Sequence, residues 1–375
     1  MKIRAAVLRH MGAALPYAAS RPLTIETLEL DPPGPGEVMV RIAAAGLCHS
    51  DLSVINGDRP RPLPMALGHE AAGVVAALGP DIDDLEVGDH VIMVFMPSCG
   101  HCIPCAEGRP ALCEPGATAN AKGELLAGSQ RLRGADGEVI SHHLGCSAFA
   151  DHAVVSRRSL VRIDKALPLA EAALFGCAVL TGVGAVVNTA GVKPGQTVAV
   201  IGLGGVGLAS VLGALASGAS QVIAVDLRQD KRDLALALGA TAAVDGGADD
   251  AVDQIRSLTG GGVDFAFELA GSVKALENAV KMTRRGGVTV TAGLPPPTVA
   301  LPVNVVSLVA EERTLRGSYI GTCVPVRDIP RYIALYRAGR LPVDRLMSGR
   351  LKLDDINAGF DRLHDGSVVR LIVEF

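Results

Sequence analysis

One glycine-rich segment sets the strongest limit on how this chain of 375 residues folds. Residues 202–207 match the pattern G-x-G-x-x-G, directly follow the apolar run Thr197–Ile201 and open a predicted helix over 208–216. A strand that turns into a helix at three glycines is typical of a βαβ unit. At least part of the chain is therefore expected to form a parallel sheet.

The same segment predicts a nucleotide site. Its glycines permit a tight turn and let the helix N-terminus face a pyrophosphate. Asp226 ends the next predicted strand, 221–225, where a carboxylate accepts hydrogen bonds from an adenosine ribose and repels a 2′-phosphate. NAD is therefore favoured over NADP, with a glycine turn in another kind of α/β domain as the alternative.

Two domains are the default for a chain of this length. Up to about residue 175, short apolar runs separated by Gly and Pro, such as 38–45, 72–78 and 90–94, predict mostly antiparallel β structure. From about residue 193 strands and helices alternate, and the helices stop at Gly218 and Gly239. The six strands predicted for this parallel sheet are Thr197–Ile201, 221–225, 242–244, 263–269, 288–291 and 315–320.

The end of the chain returns to the first domain in this interpretation. It carries a predicted helix at 329–338 and a last strand at 368–375. The predicted domains are therefore 1–178, 179–321 and 322–375.

Composition excludes several kinds of partner. The formal net charge is −4, no basic run is present, and aromatic residues make up only 3% of the chain. These values argue against nucleic acid and against a membrane surface. The uncharged stretches 172–192 and 194–225 are dense in glycine, and buried parallel strands give similar runs, so we expect no membrane span.

Four cysteines are close enough in sequence to bind one metal ion. Cys99, Cys102, Cys105 and Cys113 supply four soft thiolates, which suit a closed, structural zinc site in a lobe at about 97–115. Since four sulfurs saturate zinc, His101 is expected to face solvent. Disulfide pairing is the alternative, but the other cysteines are scattered and no signal peptide precedes the strand-like start of the chain. Reduced cysteines in turn favour a cytoplasmic location.

A second set of metal donors is dispersed. Cys48, His69 and Cys177 provide two thiolates and an imidazole, which would leave the fourth position of a zinc ion open to a substrate. On spacing alone the alternative is stronger, because a free cysteine is usually core packing and a single histidine is usually hydrogen-bonded.

These blocks together resemble the zinc-dependent medium-chain alcohol dehydrogenases in order and spacing, over essentially the whole chain. The resemblance implies an α/β protein with a GroES-like, mainly antiparallel β catalytic domain and a doubly wound, six-stranded Rossmann domain. It also implies NAD and two zinc ions per chain, one catalytic and one structural. The segment 113–149 is similar to that of the dimeric branch, which contains liver-type enzymes and glutathione-dependent formaldehyde dehydrogenase, so a homodimer is expected.

The resemblance also assigns roles to single residues. Cys48, His69 and Cys177 match the catalytic zinc ligands, Asp51 and Glu70 match acids beside them, and Ser50 matches the hydroxyl that takes the alcohol proton. The cofactor contacts implied are His49, Thr181, Gly202, Gly204, Gly205, Val206, Gly207, Asp226, Lys231 and Arg370, with Lys231 and Arg370 expected to be exposed. The substrate pocket implied comprises Phe95, His143, Leu144, Leu294 and Tyr319. Cys146 and Cys323 match no ligand and are expected to be small apolar residues.

The resulting hypothesis is reversible oxidation of alcohols to aldehydes or ketones with NAD(H). The pocket favours medium-sized hydrophobic primary alcohols, aliphatic or aromatic. An enzyme acting on hydroxymethyl-glutathione is the first alternative, but residues 114–117 contain no arginine to bind a peptide carboxylate. A second alternative is a zinc-free reductase, but such an enzyme would not need the dispersed donors. A third is a zinc-ribbon interaction module that carries a nucleotide domain, but such a module would surround the lobe with basic residues.

Overall fold

The computed structural model describes residues 1–375 and divides into two compact units. The first unit contains Met1–Cys177, Val324–Tyr332 and Met347–Phe375. The second contains Ala178–Cys323 and Ile333–Leu346. The sequence assigned all of 322–375 to the first domain, whereas the stretch Ile333–Leu346 belongs to the second unit.

Two arginines explain where this stretch lies. Arg340 donates to the carbonyl oxygen of Ala216, and Arg345 donates to that of Ala237. Both carbonyls end a helix, where acceptors lack a partner within the helix and a positive charge is favourable. The stretch is thus bound to helix ends of the second unit, an interaction that no local sequence pattern reveals.

A closed barrel forms part of the first unit. Ile3, Ala5 and Val7 alternate along the first strand and pack into one core cluster with Leu28 and Leu30. Closure of the barrel leaves no free sheet edge. The barrel strands, in spatial order, are Lys2–Leu8, Leu23–Leu30, Leu132–Arg133, Val139–His142 and Met65–Ala66.

A seven-stranded, mostly antiparallel sheet forms the rest of the β structure in the first unit, as predicted. Its central strand ends at Gly46, opposite Glu70 at the start of a neighbouring strand. The strand order is Leu160–Ile163, His90–Met93, Glu70–Leu78, Glu37–Gly46, Arg370–Glu374 and Met347–Leu351, and His152–Ser156 also pairs with Glu37–Gly46. This register brings the segments that carry Cys48 and His69 side by side.

Short helices connect the strands of the first unit. The α-helices are Tyr17–Ser20, His49–Ile55, Ile103–Ala106, Glu114–Lys122, Leu169–Ala173 and Ile356–His364. The 3-10 helices are Pro110–Leu112, Arg157–Ser159, Leu174–Gly176 and Leu353–Asp355. The α-helix Pro325–Arg337, whose residues from Ile333 onward belong to the second unit, covers most of the predicted helix 329–338.

The second unit contains the predicted six-stranded parallel sheet. The strand order is Ala242–Asp245, Gln221–Asp226, Thr197–Ile201, Val263–Glu268, Thr283–Thr291 and Thr314–Gly317, so the first strand in sequence lies at the centre and the order reverses there. This is the doubly wound Rossmann arrangement. Val198, Ala199 and Val200 are fully buried, as expected for a parallel strand covered on both faces.

Helices and short turns complete the second unit. They are the α-helices Ala178–Gly184, Gly205–Ala216, Gln229–Ala237, Ala251–Thr259, Val273–Met282 and Val305–Ala310, the π-helix Ala185–Ala190, and the 3-10 helices Ile320–Thr322 and Val343–Leu346. The last strand was predicted to reach residue 320 but ends at Gly317. Ser318 donates to the carbonyl of Thr291, the final residue of the neighbouring strand, so no ladder partner remains beyond it.

Length and apolar content single out no individual helix as a membrane span. One bent pair, Leu169–Gly176 with Ala178–Ala190, meets those two criteria together.

Candidate active site

Three potential metal ligands converge in the first unit. Cys48 is the N-cap of the helix His49–Ile55, His69 precedes the strand Glu70–Leu78, and Cys177 follows the turn Leu174–Gly176. Their ligand atoms all lie within 4.8 Å of one another, and Cys177 Sγ is 3.5 Å from His69 Nε2. All three side chains are buried. Zinc–sulfur and zinc–nitrogen bonds of about 2.3 Å and 2.0 Å fit one ion between such donors.

The charges around this cluster favour a cation. A hydrogen bond from Cys177, aided by Arg370, lowers the pKa of Cys48 well below its usual range. Burial opposes a charge on His69, but Asp51 and Cys48 raise its pKa well above the usual range. A hydrogen bond with Cys48 and burial raise the pKa of Cys177, so without an ion the cluster holds one thiolate beside a protonated imidazole, and a soft divalent metal ion would displace the remaining protons.

Asp51 fixes the orientation of His69. The carboxylate is fully buried, and its Oδ1 lies 3.0 Å from His69 Nδ1. The backbone amides of Gly68 and Cys48 also donate to it. With Nδ1 donating to Asp51, the other ring nitrogen, Nε2, is directed to the two sulfurs as a ligand atom.

His143, expected in the substrate pocket, lies against the same carboxylate. Its Nδ1 is 3.1 Å from Asp51 Oδ1, and its ring meets the His69 ring edge to face at 5.5 Å. Burial lowers the pKa of His143, so the ring is neutral. Sequence reasoning missed this contact, because it depends on a turn that no local motif marks.

Arg370 and Glu70 form a buried pair next to the ligands. Arg370 was expected to be exposed, but it is buried, and it donates to the carbonyl of Leu47 at 2.7 Å. Its Nε is 3.5 Å from Glu70 Oε1. Burial would lower the pKa of Arg370, but Glu70 and Cys48 raise it above the usual range. The arginine therefore stays charged and offsets the negative charge of the Cys48 thiolate.

The helix after Cys48 carries Ser50, which is expected to take the alcohol proton, and His49, which is expected to contact the cofactor. Ser50 is partly buried and His49 is exposed. The Ser53 hydroxyl donates to the carbonyl of His49 at 2.8 Å, so it is engaged by the helix backbone. Phe95 is buried, and its ring lies edge to face with His69 at 5.3 Å. Among the other expected pocket residues, Leu144 is buried, whereas Leu294 and Tyr319 are exposed on the second unit.

The four clustered cysteines also converge. The sulfurs of Cys99, Cys102, Cys105 and Cys113 lie within 4.8 Å of one another, and all eight cysteines of the chain are free thiols. Hydrogen bonds from the backbone at His101 and Cys102 lower the pKa of Cys99 to about 6. Amides of Cys99 and Gly116 donate to Cys113 Sγ. Such N–H···S contacts favour a thiolate, whereas burial raises the pKa of Cys105 to about 12 and raises that of Cys113 as well, so a zinc ion would displace the protons of these thiols. Four thiolates fit zinc with no position left open. His101 is exposed, as expected.

The other two cysteines are fully buried. Burial raises the pKa of the Cys146 thiol, as expected for a small apolar residue. Cys323 is not purely apolar in its contacts, because its thiol donates to the carbonyl of Leu180 at 3.2 Å.

The glycine segment of the second unit forms the expected turn. Gly202 has φ +89°, and a Cβ there would collide with the backbone of Ala270, while a Cβ on Gly207 would overlap the carbonyl of Gly202. Only glycine fits either position. Gly205 begins the helix that follows, and Gly204 is its N-cap, so the first amides of this helix are free to meet an anion.

Asp226 is held at the end of its strand. Its Oδ2 accepts from the amide of Leu203 at 2.7 Å, and its Oδ1 accepts from the amide of Arg228 at 2.9 Å. Lys231 was expected to be exposed but is buried. The neighbouring Arg232 donates to the Asp226 carbonyl at 2.7 Å.

Two residues expected near a nicotinamide are brought together. Gly182 lies against the carbonyl of Val206, where a Cβ would not fit. Thr181, the residue before Gly182, therefore lies on a helix that packs closely on the helix of Val206. Both side chains are partly exposed.

Comparison with known proteins agrees with this fold. Residues 34–165 match the family model for an alcohol dehydrogenase GroES-like domain, and residues 205–338 match that for a zinc-binding dehydrogenase. An NDMA-dependent alcohol dehydrogenase from Amycolatopsis methanolica is 40% identical over 380 residues, covering 100% of this chain and 99% of the relative.

Two solved structures are also similar over the whole chain. Benzyl alcohol dehydrogenase from Acinetobacter calcoaceticus has a TM-score of 0.93 at 32% identity, covering 100% of this chain and 99% of its own. A zinc-binding dehydrogenase from Sinorhizobium meliloti 1021, bound to NADP, has a TM-score of 0.81 at 28% identity, with 100% of both chains covered.

Fold and site together define an oxidoreductase with a GroES-like domain and a Rossmann domain. The chain belongs to the zinc-dependent medium-chain alcohol dehydrogenase family. Members of this class act on small-molecule alcohols with zinc and a nicotinamide cofactor.

Proposed function

We propose that this chain interconverts medium-sized hydrophobic primary alcohols and their aldehydes with NAD(H), using zinc held by Cys48, His69 and Cys177. The observation that carries the proposal is the convergence of two thiols and one imidazole in a buried site. Three protein ligands leave one position of a tetrahedral ion for a substrate oxygen.

The chain's own residues have distinct tasks in this reaction. When bound, zinc supplies the Lewis acidity that lowers the pKa of an alcohol, and NAD accepts the hydride. Asp51 holds His69 in the tautomer that presents Nε2 as a ligand. Ser50 takes the alcohol proton through its partly buried hydroxyl, and Phe95 excludes water beside His69. Ser53, on the same helix as Ser50, has no titrating group that could accept the proton from it. The proton therefore leaves through water or His49.

A second zinc ion is structural in this proposal. Cys99, Cys102, Cys105 and Cys113 form a closed set of donors, and no side chain of another type is needed. This ion stabilises the lobe and does not touch the substrate.

The choice of NAD rests on Asp226. Its carboxylate is fixed by two backbone amides at the end of the second strand, where a ribose hydroxyl would donate to it and a 2′-phosphate would be repelled. The NADP bound by the Sinorhizobium protein makes a direct comparison of NAD and NADP necessary.

The substrate class rests on the apolar surroundings of the ligands. Phe95 and Leu144 are buried and uncharged, which favours a hydrophobic alcohol over a polyol. The benzyl alcohol dehydrogenase similarity is consistent with an aromatic substrate. An enzyme acting on hydroxymethyl-glutathione would need an arginine shortly after Cys113 to bind a peptide carboxylate. Glu114 and the three residues after it provide no such anchor.

The exposed edge of the parallel sheet supports a homodimer. All four residues of the edge strand Thr314–Gly317 are exposed, and Val306 and Val309 of the preceding helix are 77% and 71% exposed. Apolar side chains beside the free edge of a sheet suit self-association. Light scattering should give twice the mass of one chain, and a monomer at all concentrations would refute the dimer.

A substrate and acceptor screen tests the function. Purified protein is assayed with benzyl alcohol, hexanol, sorbitol and hydroxymethyl-glutathione, each with NAD, NADP and NDMA as acceptor. We expect the highest kcat/KM for benzyl alcohol or hexanol with NAD. A higher kcat/KM for sorbitol or the glutathione adduct would overturn the substrate class. Turnover only with NDMA would show that NAD is not the acceptor that binds, takes the hydride and leaves in each cycle.

A further inference from the structure

Two histidines share one carboxylate oxygen in the first unit. His69 Nδ1 is 3.0 Å and His143 Nδ1 is 3.1 Å from Asp51 Oδ1. All three side chains are buried, with 1% exposure or less. The His143 contact is short but lies off the straight line of an ideal hydrogen bond, and its Nδ1 meets no other acceptor. A lone pair on Nδ1 would repel the carboxylate at this distance, so Nδ1 carries the proton.

The turn after His143 fixes its backbone. Leu144 and Ser147 both have a left-handed backbone conformation, with φ of +51° and +52°, which is uncommon for residues other than glycine. The amide of His143 donates to Ser147 Oγ at 2.9 Å, and the amides of Cys146 and Ser147 donate back to the His143 carbonyl. Strained backbone of this kind persists where the surrounding contacts hold it in place.

The His143 ring is buried and packed against another ring. It packs edge to face on His69, with an interplanar angle of 86°, and Phe95 covers a further side of His69 at 85°. A neutral donor facing a buried carboxylate also offsets part of the free-energy cost of burying that charge.

We propose that His143 is a positioning residue that holds Asp51, and through it His69, in the geometry needed for metal binding. This inference rests on the proposed function, because it takes Cys48, His69 and Cys177 as the ligands of a metal ion. It assigns His143 a different task from the substrate contact expected from sequence. Partners of this kind typically change metal affinity or activity by about 10- to 100-fold when removed.

Three substitutions separate the two tasks. His143→Asn keeps an N–H donor near the place of Nδ1, His143→Gln moves the donor to the place of Nε2, and His143→Phe keeps a ring without a donor. The neighbouring His142 is a matched control, because it is equally buried but accepts from the amide of Arg131 instead of facing Asp51. His142→Phe therefore measures the effect of losing a buried histidine elsewhere.

Two readouts besides activity are used on the holoenzyme. One is the rate of zinc loss to a chelator, and the other is the absorption spectrum of the cobalt-substituted protein. We expect His143→Phe and His143→Gln to lose the active-site metal about tenfold faster and to shift the cobalt spectrum. His143→Asn and His142→Phe should stay close to the original protein in both readouts.

Steady-state kinetics completes the test. A positioning role predicts that kcat falls while KM for benzyl alcohol and hexanol stays within about twofold. Metal loss and spectrum unchanged in His143→Phe and His143→Gln, or a KM change that depends on the alcohol, would overturn the inference. If His143→Phe does not fold, the difference between Asn and Gln still decides it. If the unsubstituted protein holds no metal at Cys48, the proposed function fails first, and the two failures are thus distinguishable.

Discussion

Gly46 lies directly opposite Glu70 in the central sheet of the first unit, and a Cβ on Gly46 would overlap the Glu70 carboxylate. This pairing joins the strand that leads to Cys48 with the strand that begins after His69. The geometry of the proposed metal ligands therefore depends on a glycine that touches none of them.

Gly46→Ala should displace Glu70 and disturb its pair with Arg370. Overpacking of a buried position typically costs about 1–3 kcal/mol. We expect urea unfolding to show a loss of that size, together with weaker zinc retention. Gly134→Ala is the control, because an added Cβ there meets only ordinary contacts of 3.6 Å or more. Equal stability of the two variants would contradict the role given to Gly46.

Cys102→Ser should open the closed cysteine site. Since the bound ion contributes directly to folding, we expect zinc content to fall by one ion per chain and stability to fall by more than about 4 kcal/mol. Elemental analysis and thermal unfolding measure both. His101→Ala, an exposed change in the same lobe, should alter neither. Full zinc content in Cys102→Ser would remove the structural assignment.

Asp226→Asn should weaken the preference for NAD. The amide still accepts from one backbone N–H, but it no longer repels a 2′-phosphate. The ratio of kcat/KM for NAD to that for NADP should fall by about tenfold or more, equal to about 1.4 kcal/mol of lost discrimination. A preference of the unsubstituted protein for NADP would show that this carboxylate does not select the cofactor.

Ser50→Ala should slow alcohol oxidation by about 10²-fold, since a hydroxyl in the proton path contributes on that scale. Ser53→Ala serves as the control, because the Ser53 hydroxyl is bound to the backbone of its own helix. Ser53→His should instead raise activity near neutral pH by adding a titrating group. Unchanged kinetics in Ser50→Ala would remove that residue from the proton path.

His142 makes the free energy of unfolding depend on pH in the acid range. Burial, with Arg131 and Arg133 nearby, lowers its pKa from 6.5 to about 3. Between these values the unfolded chain binds a proton that the native chain excludes, so stability falls as the pH drops from 6.5 toward 3, by at most about 1.4 kcal/mol per pH unit. His142→Gln should flatten this part of the stability curve in urea unfolding, whereas exposed His10→Gln should not. Identical slopes for all three proteins would contradict the assignment.

Local patterns predicted the parallel sheet, the glycine turn and the clustered cysteines. In each, the residues that act together are near in sequence or repeat at a fixed period. The strand Thr197–Ile201 and the turn after it match the prediction residue by residue. The dispersed donors needed the family resemblance, because only strand register brings Cys48 to His69.

Sequence patterns gave no sign of the contacts that depend on tertiary packing. Lys231 and Arg370 read as solvated charges, yet both are buried. His143 reads as a pocket residue, yet a left-handed turn directs it at Asp51. A buried partner leaves no signature in composition or periodicity. The positive φ at Leu144 leaves none either, because residues other than glycine disfavour this backbone conformation and leucine gives no hint of it.

Paired measurement of zinc content and NADH formation tests the central claim most directly. The unsubstituted protein, Cys48→Ser and the control Cys146→Ala are compared with benzyl alcohol and NAD, since Cys146 is buried but outside both clusters. We predict two zinc ions and turnover for the unsubstituted protein and the control, and one zinc ion with no turnover for Cys48→Ser. Full turnover by Cys48→Ser, or fewer than two zinc ions in the unsubstituted protein, would contradict the account.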